Sequence, residues 1–229
     1  MSQFLTLLIQ IIPLALGAAI SPTALMGIIL LLSISKRPKL QGFGYYFGAI
    51  ILILIVIILG TILSAGVNST SPKSTPMLAG IDIVLGILLL LLGIKRIFQS
   101  KTVHKQRFQG IGKKSSNLKI FMEGLSFGFG MFLINFSTTI IILEATKEIA
   151  VSLVDPMGKL IIIIILMFIT LIVCEIPLGL YFLFPEKANN ILSKVNKWMQ
   201  KNGHYLMGAV LVVIGIYILC MGLVKLGII

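Results

Sequence analysis

Apolar positions in this chain gather into six long runs separated by short polar stretches. The runs cover about residues 4–32, 42–64, 77–98, 118–143, 160–184 and 205–226. A bilayer core of roughly 30 Å is crossed by about 20 helical residues, and each run is that long. Lipid offers no partner to an irregular backbone, so a run that spans must be helical. The pattern predicts an all-α polytopic membrane protein with six transmembrane helices.

The first run is interrupted near its middle by Ser21-Pro22-Thr23. Proline lacks an N–H, and its ring clashes with the carbonyl one turn back. A broken helix is expected there, with Ser21 and Thr23 placed to satisfy the freed backbone groups. The fourth run repeats the arrangement. Gly128 and Gly130 precede Leu133-Ile134-Asn135-Phe136-Ser137-Thr138-Thr139, another polar break after small residues. Runs three and six also correspond. Gly86 and Gly93 in one match Gly215 and Gly222 in the other, each pair followed by the helix end.

These matches divide the chain into residues 1–98 and 118–229, three helices each, joined by residues 99–117. An odd number of crossings per half makes the repeats inverted. Transporters built this way place their sites at the midplane, on discontinuous helices at the repeat interface. Ser21, Pro22 and Thr23 are therefore expected to face Asn135, Ser137 and Thr138, with Glu175 near enough to join them.

Charge sets the expected orientation. Lys36, Arg37 and Lys39 follow the first run, and residues 95–119 carry eight basic side chains. Lys187, Lys194, Lys197 and Lys201 follow the fifth. The second and fourth loops are poorer in excess base. By the positive-inside rule the first, third and fifth loops are cytoplasmic, and both termini face outward from the cell membrane. The net charge of +12 would suggest nucleic acid in a soluble protein. Here only 11% of residues are charged, 58% are hydrophobic, and mean hydropathy is +1.10. Topology and anionic lipid explain the basic residues more simply, and no nucleic-acid partner is expected.

Residues 185–202 read as an amphipathic interfacial helix. Ile191, Leu192, Val195, Trp198 and Met199 recur at helical spacing, and the lysines fill the remainder. The basic linker 99–117 reads as flexible; its His104 has no second ligand nearby. Asn68-Ser69-Thr70 is a short glycosylation sequon. The amino-terminal run is too long for a signal peptide and lacks a basic start, so retention is expected. Cys174 and Cys220 have no metal or redox spacing and read as packing residues. No metal or other cofactor is expected.

Four acids fall within or at the edges of the runs. Glu175, in Val173-Cys174-Glu175-Ile176-Pro177, is the deepest. A carboxylate at membrane depth is a functional candidate by default and suits reversible protonation. A hydrogen-bonded structural role is the equal alternative. Asp82, Glu123 and Glu144 stand nearer the run ends and are expected to be solvated or snorkelling.

Several of these motifs together resemble one family. They are the early Gly17-Ala18-Ala19-Ile20-Ser21-Pro22-Thr23, Asn135-Phe136-Ser137, Glu175-Ile176-Pro177, Lys197-Trp198-Met199-Gln200-Lys201-Asn202 and the closing Gly215/Gly222 run. The chain resembles the LysE-type exporter superfamily, and within it is most similar to the GAP-like, or sulfolipid-addressing, family. The resemblance covers nearly the whole chain. It implies six helices in two inverted repeats and export as the general activity, of amino acids, metal cations or glycolipids. A thiol-electron branch also exists, but it needs a cysteine beside each break, where this chain has Thr23 and Ser137. A metal exporter would be expected to carry more acids or histidines at its core.

The expected function is an exporter of a small amphiphilic, lipid-linked or amino-acid-like solute by alternating access, with proton coupling through Glu175 as one form of it. Its partners would be the bilayer and the substrate, and a homo-oligomer is compatible with the sequence. The competing reading is a non-transporting membrane partner in envelope lipid biogenesis. No catalytic motif such as His-Glu-x-x-His or Gly-x-Ser-x-Gly is present, so an enzyme is not expected.

Overall fold

The computed structural model describes residues 3–35, 37–65, 76–98 and 116–228. The basic linker through residue 115, its His104 and the Asn68 sequon lie outside the described residues. The described chain is helical throughout, with eight helices: α1 Gln3–Ala19, α2 Pro22–Ile34, α3 Pro38–Ala65, α4 Pro76–Phe98, α5 Asn117–Ile134, α6 Phe136–Val151, α7 Pro156–Leu183 and α8 Pro185–Lys225. Five of them are long and apolar enough to cross a membrane. Helices α1 and α2, bent by 50° at their break, make a sixth if the pair is one span. The protein is a multi-pass membrane protein.

Proline begins α2, α3, α4, α7 and α8. The first helical position needs no N–H, and proline's fixed φ already suits it. Ser21, Ser116 and Asp155 cap α2, α5 and α7 by accepting from backbone N–H groups one turn ahead. Pro22 is thus less a kink inside one helix than the first residue of a new one.

Glycines decide how closely the helices approach. Gly44 and Gly48 of α3 lie against successive turns of α5, so these helices run in the same direction. A Cβ on Gly128 would collide with the Tyr45 backbone. Helices α4 and α8 run antiparallel, with Gly93 against Gly208 and Gly86 against Gly215. A Cβ on Gly86 would sit 3.0 Å from the Gly215 carbonyl oxygen. The glycines that suggested a repeat are therefore the seam on which α4 and α8 meet. Such small-residue seams serve membrane helices because apolar side chains gain little by leaving lipid for one another.

Two boundaries differ from the sequence reading. The fourth run does not end near Leu143: α6 continues through Val151 and draws Glu144, Lys147 and Glu148 inside the bundle. Residues 185–202 also do not form a separate element. They are amphipathic as expected, with Ala188 and Leu192 buried and Lys187, Lys194, Lys197, Trp198 and Lys201 exposed. However, they continue without a break into the sixth span. At 1.5 Å per residue the 41 residues of α8 reach about 60 Å, roughly twice a bilayer core.

Candidate functional site

The two helix breaks meet. Ser21 lies between α1 and α2, Asn135 lies between α5 and α6, and both are buried. Asn135 Nδ2 donates to Ser21 Oγ and, at 2.7 Å, to Thr138 Oγ1. Thr138 in turn donates to the Ala18 carbonyl at 3.2 Å. Ser21 Oγ also accepts from the Ala24 N–H at 3.2 Å and lies 3.4 Å from Thr23 Oγ1. Both N–H donors of the asparagine are thereby used, and the serine hydroxyl keeps its own proton for Thr23. One break supplies the side chain that satisfies the other's freed carbonyl. The Tyr45 hydroxyl closes the same region by donating to the Ala24 carbonyl at 2.9 Å. Aromatic contacts with Phe127 and Phe132 of α5 hold that ring.

Sequence-predicted residues therefore gather unevenly. Ser21, Thr23, Asn135 and Thr138 form one hydrogen-bonded group. Pro22 is buried beside them, and a Cβ on Gly203 of α8 would lie 3.0 Å from its ring. Ser137 is buried on the first turn of α6. Glu175 takes a different partner: its Oε1 accepts from the Tyr46 hydroxyl at 2.9 Å, tying α7 to α3. Tyr46 adjoins Tyr45, so the carboxylate and the neutral group are held by neighbouring residues of one helix.

A second polar region escaped the sequence reading. Asp82 of α4, Glu144, Lys147 and Glu148 of α6, and Lys225 of α8 converge toward the end of the bundle where α8 finishes. Asp82 and Glu144 are 0% exposed, Lys147 3% and Glu148 7%. These acids are not solvated at the interface, as their position near run ends suggested. Lys147 Nζ contacts Asp82 Oδ1, donates to both Glu144 oxygens at 2.9 Å and lies 3.6 Å from Glu148. Lys225 Nζ donates to Asp82 Oδ2 at 2.8 Å and to Glu148 Oε1. Buried charges are costly unless paired, and each here is paired. The missed signal was the spacing of Glu144, Lys147 and Glu148. Steps of three and four place them on one helix face, which only matters once the helix is known to continue.

Chemically the two regions differ. The breaks offer neutral donors and acceptors on short side chains, anchored to helix ends that need no rearrangement of secondary structure to exchange partners. The cluster offers full charges shared among three helices. Glu123 stands apart from both, half-buried on α5.

The family model described as Sap, sulfolipid-1-addressing protein, matches residues 11–224. No curated protein and no solved structure matches the chain.

Proposed function

Because the chain belongs to the sulfolipid-1-addressing protein family, we propose that it is an exporter of a small amphiphilic or lipid-linked molecule, within the wider LysE-type superfamily. The observation that carries this reading is the hydrogen-bonded meeting of two helix breaks inside the bundle. Non-helical backbone at membrane depth is tolerated where it lines a path or is buried against protein. In transporters with inverted repeats it marks the substrate site.

Packing supports two inverted halves. Exchanging α1, α2, α3 and α4 for α5, α6, α7 and α8 maps most observed contacts onto other observed contacts. The α1–α6 contact maps onto α2–α5, and α3–α5 onto α1–α7. Likewise α3–α6 maps onto α2–α7, and α2–α8 onto α4–α6. The α4–α8 seam maps onto itself, as an axis contact would. Alternating access then consists of one half rocking on the other around the fixed breaks.

The break residues favour a substrate whose polar part is rich in uncharged hydroxyl or amide groups. When the halves part, Asn135, Ser21 and Thr138 exchange bonds with each other for bonds to the substrate. Glu175, held by Tyr46, is the second contact we assign to the path.

Transport in proteoliposomes, with and without a pH gradient, tests the reading. The substrate comes from comparing the lipids and metabolites of cells with and without the protein. Replacing Glu175 with Gln should abolish transport while leaving the protein inserted. Unchanged transport in that variant removes Glu175 from the path. Absence of transport of every lipid that changes in the cells favours the alternative, a non-transporting partner in envelope lipid biogenesis.

A further inference from the structure

The charge cluster is not used by the proposed path, and its charges do not balance. Among the described residues it brings three acids, Asp82, Glu144 and Glu148, against two bases, Lys147 and Lys225. Oxygens of the three carboxylates lie within 4.8 Å of one another. A buried carboxylate in excess of its counter-charges takes up a proton rather than remain ionised. The contacts show which acid is least compensated. Asp82 touches both ammonium groups, and so does Glu148. Glu144 is bonded directly by Lys147, while Lys225 reaches it electrostatically.

We propose that this cluster is a proton-binding site, holding one exchangeable proton on Glu144. Lys147 contacts all three carboxylates and already occupies the place a bound cation would take, so the ligand that fits is a proton. On binding, an O–H bond forms at one Glu144 oxygen, and that oxygen stops accepting from Lys147. The new hydroxyl turns to the neighbouring Asp82 or Glu148 carboxylate. The charge of the cluster goes from one negative to zero, and no other bond breaks.

Helix α6 packs against α1, α3, α4, α5 and α7, and α5 carries Lys119 and Glu123 on its first two turns. Helix α4 contributes Asp82, and α8 contributes Lys225 with Tyr217, which lies within electrostatic reach of Glu144 and Glu148. Helix α1 has no ionisable side chain. Helix α3 presents Gly60 to Thr146 of α6, and its buried Ser64 donates to the Gly60 carbonyl. Helix α7 brings Asp155, engaged in capping, and Lys159, which donates to the Ala150 carbonyl.

The test is infrared difference spectroscopy across pH on the purified protein in lipid nanodiscs. The expected result is a C=O stretching band of a neutral carboxylic acid that persists in Glu175→Gln and disappears in Glu144→Gln. Glu144→Asp should retain the band at a shifted frequency. The same band surviving unaltered in Glu144→Gln overturns the proposal. So does its absence from the wild type at every pH where the protein is folded. If Glu144→Gln does not fold, an unshifted band in Glu144→Asp overturns it instead. Uptake of sodium or a divalent ion in place of the band, seen by calorimetry, identifies a metal site and also overturns it. The readout does not involve transport, so it stands or falls separately from the exporter reading.

Discussion

The knot at the helix breaks and the charge cluster differ in how they are held. The knot is neutral and local to two chain interruptions. Two of its bonds serve backbone groups that the first interruption sets free, the Ala18 carbonyl and the Ala24 N–H. The cluster has no interruption near it. Its members sit on unbroken helical segments, and only their mutual pairing makes their burial tolerable. A polar group that satisfies the backbone is replaceable in part by another backbone arrangement. A buried charge that satisfies another charge has no such substitute.

Lys147→Met is the variant that should separate them most. It removes the ammonium that all three carboxylates share and strands at least Glu144. Removing one partner of a buried pair costs about 3–5 kcal/mol, so thermal unfolding in detergent should show the largest loss here. A loss below that of the knot variants would mean that water reaches the cluster and that the contrast fails. Asn135→Ala comes next. It withdraws the two bonds that Asn135 donates, but the freed hydroxyls can turn to backbone carbonyls. Hydrogen bonds between membrane helices average roughly 0.6 kcal/mol, and a loss of about 1 kcal/mol is expected, with transport reduced far more than stability. Ser21→Ala removes a helix cap at a cost of about 1 kcal/mol. Combined with Asn135→Ala it should cost less than the sum, because the two share one bond. Equal additivity would show that the Ser21–Asn135 bond contributes nothing. Pro22→Ala should do least to stability, below about 0.5 kcal/mol, because proline at a first helical position withholds no bond. A fused, unbent α1–α2 helix in that variant would show instead that Pro22, and not the Ser21 cap, maintains the break.

The same contrast explains what could be read from the sequence. Six runs, the first break and its partner at Asn135 were legible because each leaves a local mark. The marks are an apolar length matched to the bilayer, a proline after a serine, and an asparagine within an apolar run. The meeting of Ser21 with Asn135 and Thr138 followed from pairing the two halves. The cluster was not legible in this way. Asp82, Glu144 and Lys225 each sit within a few residues of a run end, where an isolated charge is normally solvated. Their burial depends on three helices ending at one level, which is a property of packing. Glu175 was correctly singled out as lying within a helix, but its partner Tyr46 is 129 positions away, and nothing near Glu175 announces it.

The unbroken α8 carries one more consequence. Its exposed basic stretch and Lys225 belong to a single rod, with the glycine seam against α4 between them. Mechanically this is a lever with its fulcrum at Gly208–Gly215. One arm carries the lysines that an anionic surface would grip, and the other ends in the ammonium that joins Asp82 to Glu148. A tilt imposed on the first arm must either reach that ammonium or be absorbed by bending the rod.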